Sequence, residues 1–289
     1  MGTSSSYGGP VGKHPLLPPW ADEPVDTPVD QNGDDVLQPF LEELPSDATQ
    51  QAHPLTNISV LDDLIPWSNP KSALTRRARG NANVSWGTIT RRYVQASGGP
   101  RRAAASARAG RTATSRLGGF LANGLRNGFV EAARRLGVQN LIGRDAQYVL
   151  AAFIDLIAPD GALREEAIAR KAVIETMAEW FERYEVDAAG IEVLDRMKPD
   201  GMRDLIVLSV TNYVNARFQQ ELLSRIELGT LSEHDANALA DEAKEFIASV
   251  VNIDVGSVDL VALNWDGPEG HQFIDGVYTA AYGLLAEAA

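Results

Sequence analysis

From Leu117 onward, apolar residues recur at intervals of three and four, the period that gives a helix one buried face. Leu117, Phe120, Leu121, Leu125, Phe129, Ala132, Ala133 and Leu136 predict a core-facing helix that Gly137 would close as a C-terminal cap. Val149, Leu150, Phe153, Ile154 and Ile157 predict a second, ended by Pro159-Asp160-Gly161. Leu163, Ile168, Val173, Ile174, Met177, Trp180 and Phe181 predict a long third. Pro199-Asp200-Gly201 opens a fourth, whose stripe runs from Met202 through Leu205, Ile206, Val210, Tyr213, Val214, Phe218 and Leu222 to Ile226 before Gly229. Thr230 and Glu233 have the spacing of a capping box, ahead of a fifth helix through Leu239, Ala243, Phe246, Ile247 and Val250. Val255 to Leu263 alternates in part and predicts one short strand or an extended crossing. Asp266-Gly267-Pro268-Glu269 starts a last helix that carries Phe273, Ile274, Val277, Tyr278, Tyr282, Leu284 and Leu285. The predicted class is all-α.

Upstream of Leu117 the pattern changes. Alanines between Lys71 and Arg116 favour helix, while Gly80, Gly87, Gly98-Gly99-Pro100 and Gly110 cut it into pieces over Ser72–Arg79, Ser85–Ala96 and Pro100–Ala109. Ahead of Pro70, recurrent prolines among Asp, Glu, Gln and Asn deny the backbone any long helix or central strand. Two short clusters, Val36-Leu37-Phe40-Leu41-Leu44 and Ile58-Val60-Leu61-Leu64-Ile65-Trp67, have the spacing of single turns that fold on a partner or on the chain's own body. The expected organisation is an extended, disordered acidic arm over 1–70, an arginine-rich helical connector over 71–116 and an all-helical domain over 117–289.

Charge sharpens this division. The formal net charge of -13 argues against nucleic acid, yet between Lys71 and Arg144 the only acid is Glu131, set among many arginines. A field is felt within a Debye length of about 8–10 Å, so this positive block acts locally. Arg91, Arg92, Arg101, Arg102, Arg108, Arg111 and Arg116 are therefore candidates for contact with nucleic acid phosphates or an acidic partner. A solvated low-complexity linker and neutralisation by the chain's own acidic arm are the alternatives.

The absence of cysteine excludes disulfides, thiolate catalysis and cysteine-held metals. No apolar run approaches the ~20 residues that span a bilayer, and no signal-type segment opens the chain, so a cytoplasmic protein is expected. No phosphate loop, dinucleotide fingerprint or His-Glu-x-x-His motif is present, so Gly118-Gly119 and Gly124 are read as points of close packing. Glu175, Glu179 and Glu182 share a helix face, but none is followed by histidine at the spacing of a carboxylate metal centre, and a solvated face is the simpler reading. His234 and His271 sit at helix starts without a nucleophile nearby in sequence. No catalytic residue, cofactor or metal is expected.

The first twenty-one residues form a different kind of segment. Gly2 to Ser6 are small, Gly8-Gly9-Pro10 and Gly12 break helices, and Pro15, Pro18 and Pro19 favour an extended path. Leu16, Leu17 and Trp20 have no periodic neighbours and suit anchoring on another surface. Removal of Met1 would leave Gly2 with a free amine. The alternatives are a plain flexible tail and N-myristoylation, for which Met1-Gly2 with Ser6 fits but Lys13 alone supplies no polybasic patch.

Met1-Gly2-Thr3-Ser4, Gly8-Gly9-Pro10, Pro15-Leu16-Leu17-Pro18 and Trp20-Ala21 resemble the opening of the QatB family, a component of the bacterial Qat anti-phage defence system. Arg91-Arg92-Tyr93-Val94, Gly98-Gly99 and the Arg/Ala run to Arg116 resemble its basic middle region. The resemblance implies a non-catalytic protein acting with an ATPase, a QueC-like enzyme and a TatD-like nuclease. It further implies that a 7-deazaguanine is attached to Gly2, with Thr3, Ser4, Pro10, Pro15, Leu16, Leu17, Pro18 and Trp20 contacting the QueC-like partner.

Overall fold

The computed structural model describes residues 67–81, 83–223, 232–256 and 258–288. Residues 1–66 of the expected arm, with Gly2 and the other N-terminal candidates, lie outside them, whereas Ser68, Asn69 and Pro70 open the first helix. Eleven α-helices and one 3-10 segment carry the described fold, and no strand occurs among the described residues. No helix among them is long and apolar enough to cross a membrane.

The helices are α1 (Ser68–Ala78), α2 (Trp86–Ala96), α3 (Pro100–Ser106), α4 (Arg108–Asn127), α5 (Phe129–Arg135), α6 (Ala146–Ile157), α7 (Arg164–Arg183), α8 (Val186–Ala189), α9 (Pro199–Leu222), α10 (Glu233–Val250) and α11 (Pro268–Glu287), with the 3-10 segment Ile191–Arg196 between α8 and α9. Helix α9 is the axis of the bundle. It packs on α7, α4, α10, α11 and α1, while α11 also covers α2, α3 and α4. Because neighbours surround α9, its polar residues are buried as well as its predicted apolar stripe. Those polar groups are satisfied: Ser209 Oγ shares a 3.2 Å hydrogen bond with Thr114 Oγ1, and Asn212 Nδ2 donates to Thr176 Oγ1 at 3.1 Å.

One core joins α1–α3 to the later helices. Leu74, Ile89, Tyr93, Val94 and Ala103 are fully buried in the same cluster as Phe129, Trp180 and Tyr282. Edge-on contacts of Phe129 with Phe120 and Trp180, and of Phe153 with Phe120 and Phe181, tie α4, α5, α6 and α7 together. Tyr93 and Trp86 meet Phe218 of α9 in the same manner at ring-centroid distances of 5.2 and 6.3 Å. Leu117, the expected start of the helical domain, falls in the middle of α4.

Local signals explain most boundaries. Ser85 caps α2 by accepting the Thr88 N–H at 3.1 Å, and Pro100, Pro199 and Pro268 occupy first-turn positions. Four details differ from the pattern. The helix expected from Leu117 to Leu136 breaks at Gly128, whose φ of +86° ends α4 and starts α5. Gly110 does not interrupt α4; it is the close-approach point for the Tyr213 ring. Ser232, not Thr230, caps α10 by accepting the Asp235 N–H at 3.1 Å, while Thr230 and Gly229 lie outside the described residues. Where a strand was considered, the acids make turns instead: Asp254 Oδ1 accepts from Gly256 N–H, and Asp259 Oδ1 accepts from the N–H groups of Val261 and Ala262.

Candidate functional site

The arginines of the basic block separate into two groups. Arg91 Nη2 donates to Ala288 O at 3.0 Å, and Arg111 pairs with Asp275, so each clips α2 or α4 to the C-terminal helix region. Arg101 and Arg102 on α3, and Arg108 and Arg116 on α4, are exposed and have no ion pair among the described residues, and neither has the half-buried Arg92. Arg108, Thr112 and Arg116 follow one another at intervals of four and form a single ridge along α4.

The ridge is held in place by charged residues from distant helices. Ala107, at the start of α4, offers no side-chain cap. Glu165 of α7 supplies one: its Oε1 accepts the Ala109 N–H and the Tyr213 hydroxyl, both at 3.1 Å. At the end of α3, Arg217 donates through Nη1 to Ala103 O at 3.1 Å and through Nη2 to Ser106 Oγ at 2.9 Å. Its Nε donates to Glu221 Oε1 at 3.0 Å, and Tyr93 donates its hydroxyl proton to Glu221 Oε2 at 2.9 Å. A cation is thus placed against the Ala103 carbonyl near the C-terminal end of a seven-residue helix, where the backbone dipole favours it.

This network is structural. Burial pushes the Tyr282 hydroxyl up to about 12 despite the opposing pull of Arg217, and burial likewise raises Tyr93, Tyr213 and Tyr278. All four remain protonated near neutrality and are poorly matched to acid–base work there. Glu175 accepts from Lys244 at 2.9 Å and Glu179 from Arg183 at 3.0 Å, as a solvated face does. No group of three or more His, Asp or Glu side chains that could hold a metal occurs among the described residues.

Three surface depressions flank the α4 ridge. Arg108, Thr112 and Arg116 line two, of about 450 and 520 Å³, one toward Pro159 and Glu166 and the other toward His271 and Asp275. The third, about 650 Å³, continues past Arg116 to Asn123 and Arg126, with Leu136, Leu156 and Leu263 among its lining. Arg126 falls inside the positive block that runs to Arg144, but the candidate residues drawn from that block end at Arg116 and do not include it. The continuation of α4 to Asn127 is the signal that could have found it, because helical spacing returns Asn123 and Arg126 to the ridge side.

The family model described as Qat anti-phage system associated protein QatB matches residues 98–285. That span is well over half of the chain and runs from the glycines ahead of α3 into α11. The chain belongs to the QatB family. Membership makes it a component associated with an anti-phage defence system and brings the whole α4 ridge within the family's matched region. No curated protein and no solved structure matches the chain. The N-terminal candidates Gly2, Thr3, Ser4, Pro10, Pro15, Leu16, Leu17, Pro18 and Trp20 precede the matched span as well as the described residues.

Proposed function

We propose that this chain is a non-enzymatic assembly component of the anti-phage complex, and that a QueC-like partner binds its N-terminal peptide and joins a carboxyl-bearing 7-deazaguanine to the Gly2 amine as an amide. A nucleoside triphosphate activates the carboxyl, nucleoside monophosphate leaves as the C–N bond forms, and the amine proton passes to solvent. The family match carries the reading, because it connects the helical body to the Qat system. The N-terminal sequence supports it: Gly2, Thr3 and Ser4 add little bulk, prolines 10, 15 and 18 favour an extended path, and Leu16, Leu17 and Trp20 offer anchors. An N-terminal amine has an ordinary pKa of about 7.7–8.0, so a nucleophilic fraction exists at neutral pH without an activating base in this chain.

Intact mass of the chain co-expressed with its neighbouring genes tests the proposal. The expected species lacks Met1 and carries the added deazaguanine. Gly2→Trp should abolish the adduct and phage protection while leaving complex formation intact, whereas Leu17→Ala or Trp20→Ala should weaken the complex. A co-expressed chain that shows only Met1 loss, together with full protection by Gly2→Trp, overturns it.

One observation favours a second reading, a nucleic-acid adaptor for a partner nuclease. Arg101, Arg102, Arg108 and Arg116 are exposed on consecutive helices without acidic partners among the described residues. Salt-dependent binding of a DNA or RNA oligonucleotide, reduced by replacing these four, distinguishes this reading from the first.

A further inference from the structure

The third depression, between α4, α6 and the segment that leads into α11, combines two arginines and one acid with exposed aliphatic surface; the one toward Pro159 has exposed Leu163 but three acids, and in the one toward His271 the aliphatic Ile274 is buried. Leu136 stands 49% exposed beside it, and half-buried Leu156 and Leu263 complete an aliphatic lining. Phe120 and Trp265 also line it, but they are 2% and 3% exposed and present almost no ring surface. Arg116 and Arg126 stand at its α4 edge without ion-pair partners among the described residues; Arg126 donates only its Nε, to Ala122 O at 3.2 Å. Asp266 is the single acid in the lining.

We propose that this groove is a docking site for a partner-protein segment that carries carboxylates beside a bulky aliphatic side chain. Charge complementarity selects the acid, because two free guanidiniums face one carboxylate and can take further carboxylates in bidentate fashion. The aliphatic lining selects the anchor and argues against single-stranded nucleic acid, which gains its sequence-tolerant affinity by stacking bases on exposed aromatic rings. Asn123 and Asn264 supply polar groups for the docked backbone. This inference rests on the reading of the chain as an assembly component, but it is independent of any chemistry at Gly2.

Fluorescence anisotropy of the full chain with three labelled dodecapeptides and one oligonucleotide tests it. The peptides alternate Leu with Glu, Leu with Lys, and Ser with Glu; the oligonucleotide is a single-stranded dodecathymidylate. The Leu/Glu peptide should bind at least tenfold more tightly than the two other peptides, and the oligonucleotide should not displace it. Leu136→Ser and Arg126→Glu should each weaken it at least tenfold without lowering the melting temperature, whereas Arg144→Glu, outside the groove, should leave it unchanged. No Leu/Glu binding, equal binding by the Ser/Glu peptide, or displacement by the oligonucleotide overturns the proposal. Because Gly2 plays no part in the assay, failure here leaves the intact-mass test untouched, and an unmodified Gly2 leaves this one untouched.

Discussion

A Cβ placed on Gly118 would fall 2.3 Å from Cε3 of Trp265, so the indole occupies the space that any larger residue would need. Trp265 is itself fixed: its Nε1–H donates to Leu260 O at 3.0 Å, and its carbonyl accepts the Ser115 hydroxyl at 2.8 Å. The crossing segment ahead of α11 is thereby pinned to α4.

Gly118→Ala should therefore destabilise the protein by about 1–3 kcal/mol through overpacking against a ring that cannot retreat. Gly119→Ala is the control, since its Cβ would meet Trp265 Cβ at an ordinary 3.6 Å. It should be neutral or stabilising by up to about 1 kcal/mol, from the lower helix cost of alanine. Denaturant midpoints of the two variants check this, and equal losses would contradict the packing account.

Close packing at Gly118 and Gly124 was legible in the sequence because small residues in an apolar helical pattern leave few other roles; a Cβ placed on Gly124 would run into the Phe129 ring. The all-α class and the longer helices were legible for a similar reason, since periodicity reports burial directly. Long-range caps were not. Ala107 and Gly128, at the starts of α4 and α5, carry no capping side chain, and the oxygens that serve those helices come from Glu165 and from Asp195, whose Oδ1 accepts the Phe129 N–H at 2.8 Å. No local spacing announces a carboxylate that arrives from another helix. The same limit hid the division of the arginines, because only the fold brings Asp275 to Arg111 and the Ala288 carbonyl to Arg91.

Arg217 should be the costliest surface-proximal cation to remove. Arg217→Met leaves the Glu221 carboxylate without its cation in a largely buried setting and removes one of the two side-chain hydrogen bonds to the Ala103 carbonyl, and should cost roughly 3 kcal/mol. Arg217→Lys should recover only part of this, because one ammonium cannot reach Ala103, Ser106 and Glu221 together. Adding Glu221→Leu to Arg217→Met should restore stability relative to the single variant, since no unpaired charge then remains. Chemical denaturation of the three variants decides the point; a double variant as weak as the sum of the singles would remove the pair from the argument.

Stability should also respond to acid at the contact between α1 and α10. Glu242 is held below the usual carboxylate range first by its 2.6 Å hydrogen bond from Arg77, with burial opposing and the Trp86 Nε1–H bond at 3.2 Å assisting. A depressed folded pKa stabilises above the unfolded value and loses that contribution as pH falls through the folded one. The advantage of the native chain over Glu242→Gln should thus be constant from neutrality to about pH 5 and shrink below the ordinary glutamate pKa of about 4.3. Melting curves of both proteins across this range test it, and a difference that persists unchanged to strongly acid pH would assign the effect to packing instead.

The two groups of arginines should separate in experiment as they do in the structure. Arg111 is committed to Asp275, so Arg111→Gln should lower stability by up to about 1 kcal/mol, the range of a largely exposed pair, and leave phosphate binding nearly unchanged. Arg101, Arg102, Arg108 and Arg116 have no such contacts, so their glutamine variants should melt like the native chain. If these four arginines meet phosphates, each replacement should reduce the slope of log affinity against log salt by about 0.7 for a single strand or 0.9 for a duplex, the counterion released per contact. If they meet protein carboxylates instead, oligonucleotide binding should be absent and the same variants should weaken capture of the co-expressed partner. Paired measurements of melting temperature and salt slope on Arg111→Gln and Arg108→Gln are the most direct comparison. Identical behaviour of these two variants in both measurements would show that the division drawn from the Asp275 contact has no energetic meaning.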